Sequence, residues 1–247
     1  MWAQDGSGEN RSNCRDLPSY SFLKIALASV VQQGQNGGLG FHMWGTLVNR
    51  DGEVCAVVYT GADRHAQWPG SRVISAQKAH TANAFSLPNF ALSTANLYFA
   101  TQPAGTLYEL PHSNPVDPSV AYAGNPANFG AANDPLVGKK MGGVNVFGGG
   151  LALYKRTGEL IGALGVSGDT SCTDHVIAWK TRDRLSLDYV PAGVAGAGRD
   201  NMINDLSRQA NGELVSPSGF GHAACSPGAT VLVNTLPADF PTGTPQP

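Results

Sequence analysis

The stretch GGVNVFGGGLALYKRTGELIGALGVSGDTSCTDH, Gly142 to His175, decides the fold. Three consecutive glycines, Gly148, Gly149 and Gly150, stand before a short apolar run, Leu151–Tyr154. A turn sequence, RTGE, separates that run from a second one ending at Gly168. The pattern predicts a strand over VNVF, a strand over LALYK, a turn and a strand over LIGALGVS. CTDHVIAWKTRDRLSL predicts a helix, with Val176, Trp179 and Asp183 on one face and Ile177, Thr181 and Arg184 on another. Thr170, Ser171 or Thr173 can cap it, and Asp174 suits the positive end of the helix dipole. The N–H groups at that end serve ordinary capping or hold a ligand carboxylate. Glycine weakens a strand interior and marks a bulge or a close approach. Gly148–Gly150 therefore have two readings: a backbone surface for a flat ligand or a neighbouring subunit, or a tight bend between strands.

Working outward, LPSYSFLKIALASVVQQG reads as a helix. Leu23, Ala26, Leu27 and Val30 recur at helical spacing, Ser19 or Ser21 caps it and Gly34 stops it. FHMWGTLVNRDGEVCAVVYTG predicts a β-hairpin turning at NRDG. WPGSRVISAQKAHTANAFSL predicts a second helix with Ser71 as cap. Residues 88–140 are rich in Pro, Asn, Gly and Ala and show little periodicity, as in a functional, oligomer-forming or mobile loop. In the tail, DNMINDLSRQANGELV predicts a short helix, followed by FGHAAC and a Pro-rich end. Adjacent strands interrupted by helices predict an antiparallel α+β sheet and do not suggest a doubly wound nucleotide fold. GVAGAG, Gly193–Gly198, lacks the preceding strand that a dinucleotide loop needs.

The formal net charge of −2 gives no bulk attraction to nucleic acid or an anionic membrane. No apolar run approaches the ~20 residues of a membrane helix. The N-terminal MWAQDGSGENRSNC lacks the basic start and apolar core of a signal peptide and reads as the beginning of a mature secreted chain. Cys14, Cys55, Cys172 and Cys225 form no CxxC pair. They read as two disulfides in a secreted or periplasmic protein, or as four buried thiols; sequence does not choose among the three pairings.

Lys78 shares a helix face with Ile74, Thr81 and Phe85, so it points toward the core or a cleft. There it can snorkel outward, pair with Asp174 or hold a ligand carboxylate. His80 lies about 160° from Lys78 around the helix, on the outer side. His42 falls at a strand start with Trp44 on the same side, and His112 lies in the Pro-rich loop. No HExxH or GxSxG occurs, so no resident metal site or serine-hydrolase elbow is expected.

SAQKAHTANAF around Lys78–Ala82, FGGG at Phe147–Gly150, IGALGVSG at Ile161–Gly168 and the helix-borne Asp174 occur in an order that resembles the GlcG/HbpS-like family, the haem-degrading or DUF336 family. His80 stands where the motif often has Tyr or Arg. The resemblance implies a profilin-like fold, an antiparallel sheet flanked by helices, over residues 19–187. An arm over 1–18, a long middle loop and an extension over 188–247 would complete a longer secreted branch. It implies a homo-oligomer that binds haem or a similar planar ligand, with haem degradation in some members. Lys78 would hold a propionate, Thr81 would line the cleft, His42, His80 or His112 would ligate iron, and Gly148, Gly149 and Gly150 would allow close approach. A second reading needs no cofactor: an enzyme acting on a small aromatic or oxygenated molecule, with Lys78, His80 and Asp174 as acid, base or electrostatic stabiliser. Tyr98, Phe99, Tyr108 and Tyr122 of the loop would then face the substrate or pack. A third is an oligomeric partner protein without chemistry.

Overall fold

The computed structural model describes residues 14–246. Residues 1–13, and with them the reading of the N-terminus as the start of a mature chain, lie outside the described residues. Helix α1 (Tyr20–Gln33) starts at Ser19, whose side chain accepts the N–H of Phe22, and ends at Gly34. Leu23, Ala26, Leu27 and Val30 are its buried residues, as the spacing predicts. Strands β1 (Trp44–Asn49) and β2 (Val54–Tyr59) form the hairpin. At its turn the Asn49 carboxamide oxygen accepts from Asp51 N and Glu53 N, both at 3.0 Å.

Helix α2 (Ser71–Ala84) follows. Its N-cap is Gly70, which has no side chain to bond, and Ser71 is already inside the helix. The middle segment folds into 3-10 turns and two single-turn helices, α3 (Leu110–Ser113) and α4 (Pro118–Ala121). Strands β3 (Gly150–Tyr154) and β4 (Leu160–Ser167) complete one antiparallel sheet of order β2-β1-β4-β3. Helix α5 (Ser171–Arg184) is capped by Thr170, which accepts from Thr173 N. The tail carries a small hairpin, β5 (Ser207–Arg208) and β6 (Leu214–Val215), and helix α6 (Pro227–Asp239).

The sheet is sandwiched. On one face α2 lays Val73, Ala76, Ala79 and Ala82 against Trp44, Val48, Val57 and Ala163. Gly165 of β4 permits this contact, because a Cβ there would meet the Ser75 carbonyl oxygen at 1.9 Å. On the other face α1, α5 and α6 bury Leu27, Val176, Trp179 and Val233 against Leu47, Leu151, Leu153 and Leu164. This is the α+β architecture the sequence predicts.

Three expectations are corrected. VNVF is no strand: Val144 N bonds to Asn114 O and Asn145 N to Thr81 Oγ1, so its backbone is satisfied outside any ladder. The tail segment read as a helix instead holds the β5–β6 hairpin, whose turn includes Asn211 and Gly212. The true tail helix, α6, lies in the stretch read as Pro-rich, with Ser226 capping and Pro227 in the first turn, where a missing N–H costs nothing.

Two disulfides, Cys14–Cys55 and Cys172–Cys225, tie the N-terminal arm to β2 and the tail to α5. Both aperiodic segments are also held by buried arginine–carboxylate forks. Arg72 of α2 grips Asp134 of the middle segment, with Nε to Oδ2 at 2.9 Å and a second bond from Nη2. Arg182 of α5 grips Asp200 of the tail, at 2.6 and 2.9 Å. Two parallel bonds to a carboxylate fix orientation as well as distance.

Candidate functional site

Lys78, Asp174 and the three glycines meet inside the protein. Lys78 Nζ donates to Asp174 Oδ2 at 2.7 Å and to Val166 O at 3.2 Å. Asp174 Oδ1 accepts from Gly168 N at 3.1 Å and Asp169 N at 2.9 Å. These two N–H groups, just before α5, are thus taken by the protein's own carboxylate. Both Lys78 and Asp174 are 2% exposed. Burial raises the Asp174 pKa to about 6, against the opposing pull of Lys78.

The chain passes between α2 and α5 at Gly148–Gly150. A Cβ on Gly148 would meet Ser171 O at 2.5 Å, and one on Gly150 would meet Lys78 O at 2.5 Å. Gly149 has φ +116, and its Cβ would stand 2.4 Å from Val166 O and 3.2 Å from Lys78 Nζ. All three are buried. The three glycines are therefore the passage by which the chain enters edge strand β3 between two helices. Thr81 is buried too: its hydroxyl donates to Gln77 O and accepts from Asn145 N, holding the segment that leads to the glycines.

Two histidines that sequence reasoning did not single out flank this joint. His175, next to Asp174, accepts the Met202 N–H on Nε2 at 3.1 Å, while its Nδ1 is buried without a partner. His222 of the tail donates from Nδ1 to Ala223 O at 2.7 Å, and its Nε2 is likewise unpartnered. The His222 ring lies 4.6 Å from the Tyr98 ring. Burial lowers both imidazoles to about 4, so both are neutral at pH 7. The apolar run Val176–Trp179 is the one sequence signal that His175 enters the core.

His80 stands apart. It lines an open groove of about 630 Å³ together with Gly52 of the hairpin turn, Pro115, Val116, Pro118, Lys140 and Met141. Asp51 and Asp117 share the rim. His80 Nδ1 is buried against Gly52 without a hydrogen-bond partner, and burial lowers the ring's pKa, which keeps it neutral at pH 7. His112 lines a smaller hollow of about 220 Å³ with Tyr108, Val144, Val146 and Phe147. His42 is exposed, two residues before β1, with Nδ1 at 3.3 Å from Thr60 Oγ1; Trp44 is buried instead. The structure thus brings Lys78, Asp174 and Gly148–Gly150 together and leaves the three histidines in separate places. The groove's chemistry fits a planar iron tetrapyrrole: a neutral imidazole for the metal, proline, valine and methionine for the ring, and the Lys140 ammonium for a carboxylate.

Among the described residues no group of three His, Cys, Asp or Glu is placed to hold a metal ion, and no helix is long and apolar enough to cross a membrane. No curated protein matches the chain. Several solved structures are similar to it. PduOC in a haem complex is 24% identical with a TM-score of 0.45, over 66% of this chain and 88% of that one. The Klebsiella pneumoniae protein ORFY is 22% identical with a TM-score of 0.45, over 66% and 88%. A double mutant of Streptomyces reticuli HbpS is 18% identical with a TM-score of 0.46, over 75% and 96%. The model of the family described as haem degrading protein HbpS-like matches residues 46–182, more than half of the chain, and spans α2, the glycine passage, β4 and the Asp174 end of α5. The chain belongs to the HbpS-like family.

Proposed function

We propose that this protein binds haem or a similar planar tetrapyrrole in the groove at His80. The observation that carries the reading is a neutral imidazole lining an open groove beside Pro115, Val116 and Met141, in a chain of a family described by haem degradation. His80 supplies the axial nitrogen and Lys140 pairs with a propionate; Lys78 and Thr81 hold the floor of α2 in place from the buried side. When bound, the iron would supply redox chemistry, and this chain's residues would bind and orient the ring. The domain of residues 19–187 carries the groove, with the extension over 188–246 packed onto it.

We also infer a homo-oligomer in a secreted or periplasmic setting. The exposed Phe22 and Ile25 on the outer face of α1 support the first. The two disulfides support the second.

Titration of the metal-free protein with haem, followed by absorbance, tests the reading. A saturable Soret shift is expected, lost in His80→Ala and kept in His42→Ala and His112→Ala. A wild-type protein that leaves the haem spectrum unchanged removes the proposal. Time-dependent loss of the bound Soret band under oxygen and a reductant would separate haem degradation from binding.

A further inference from the structure

A second cavity, of about 1050 Å³, shares no lining residue with the groove at His80. It is just above the ~300–1,000 Å³ that small-molecule sites typically span. Two aperiodic segments wall it. Leu97, Phe99 and Leu107 come from the turns of the middle segment, and Leu214 and Phe220 from the tail beyond the matched family region. Its deeper amides are turned toward the protein: Asn96 donates to Asn201 O and accepts from Ser93 N, and Gln102 donates to Tyr98 O. The interior is therefore apolar, and charge is confined to the rim.

On that rim Arg208 Nη1 donates to Gly212 O at 2.6 Å, which fixes the guanidinium at the end of the β5–β6 hairpin. The remaining N–H groups of this exposed side chain have no partner among the described residues. Glu213 also lines the cavity, its carboxylate accepting from Asn211 at 3.3 Å. One cation beside one carboxylate suits a ligand with a single negative charge better than a polyanion. The lip carries a strained residue: Ala104 has φ +68 in the turn closed by Gly105 N to Gln102 O at 2.8 Å. A Cβ-bearing residue held in the left-handed region is a feature that clusters at ligand clamps.

The geometry points to a second ligand site in this cavity, for a monocarboxylate with an apolar aliphatic or aromatic body whose carboxylate pairs with Arg208. The site is independent of haem binding at His80. The test is a fluorescence titration of the full chain with cis-parinaric acid. One saturable site is expected, from which decanoate displaces the probe and decyltrimethylammonium does not. Ala100→Trp and Leu107→Trp, on the cavity wall, should each weaken binding at least tenfold, with the unfolding midpoint read alongside. Arg208→Gln, on the exposed rim, should weaken decanoate several-fold and leave decanol unchanged. His80→Ala should bind the probe as the wild type does, so failure here is distinguishable from failure of the haem reading. Absence of saturable binding, wild-type affinity in a folded wall variant, or equal loss of decanoate and decanol in Arg208→Gln would overturn the assignment.

Discussion

Helix α2 presents two polar residues two positions apart to opposite fates. Lys78 is sealed between α2 and α5, bonded to Asp174 and hemmed in by Gly149. His80 lines an open groove, with only its Nδ1 edge buried against Gly52. The contrast teaches that the densest part of the sequence motif, Lys78, Gly148–Gly150 and Asp174, builds the joint of the fold. The surface that can meet a ligand is made by the hairpin turn and the irregular segments around Pro115 and Lys140.

The strongest way to break this contrast is to unpair the joint. Lys78→Met leaves Asp174 buried without its cation, and removing one partner of a buried pair costs about 3–5 kcal/mol. A chemical denaturation series should show that loss, and the double change Lys78→Met with Asp174→Asn, whose carboxamide oxygen can still accept from Gly168 N and Asp169 N, should recover part of it. If Lys78→Met unfolds within about 0.5 kcal/mol of the wild type, a range usual for surface changes, Lys78 is no structural joint. Next in size is the tail's tether: replacing Cys172 and Cys225 by Ala should cost about 2–4 kcal/mol and should leave the haem spectrum unchanged. A lost haem spectrum in that variant would tie the groove to the tail.

Acid sharpens the contrast further. His175 and His222 are lowered to about 4, so between their ordinary pKa and 4 the unfolded chain takes up protons that the native chain refuses. Their stabilisation is full above the ordinary value and is lost as pH falls toward 4. Asp174, raised to about 6, acts in the opposite sense: its native form holds a proton that the unfolded chain releases, so its contribution weakens stability as pH rises from its ordinary value to 6. Two histidines outweigh one carboxylate, and the melting temperature should fall between pH 6.5 and 4.5. His222→Gln should flatten that fall; a melting temperature that rises on acidification would reverse the assignment. The smallest effect on stability belongs to the groove: His80→Ala should shift unfolding by no more than about 0.5 kcal/mol.

How much of this was legible in the sequence depends on where each backbone bond goes. Helix α1 was legible because Gly34 and the spacing of Leu23, Leu27 and Val30 speak locally, with Ser19, one of two serines offered, as its cap. The hairpin was legible for the same reason, and the start of α5 was narrowed to Thr170, Ser171 or Thr173, of which Thr170 is the cap. VNVF alternates like a strand, yet its partners are Asn114 and the Thr81 hydroxyl, which no local pattern reveals. Helix α6 hid behind Pro227 and Pro237, which read as loop until Ser226 is seen to cap it. Of the site residues, the pairing of Lys78 with Asp174 was among the readings open from the helix face alone. The forks Arg72–Asp134 and Arg182–Asp200 were invisible, because each joins a helix to a segment without periodicity. The groove at His80 was half legible: the helical wheel put His80 on the outer side, but its other wall comes from the loop.

The most direct measurement is a side-by-side haem spectrum of His80→Ala and His222→Gln, with imidazole added back to each. The account predicts that His80→Ala loses the ligated Soret band and regains it with imidazole, while His222→Gln keeps it throughout. A His80→Ala protein with the wild-type spectrum, beside a His222→Gln protein that has lost it, would place the ligand at the sealed joint and contradict the account.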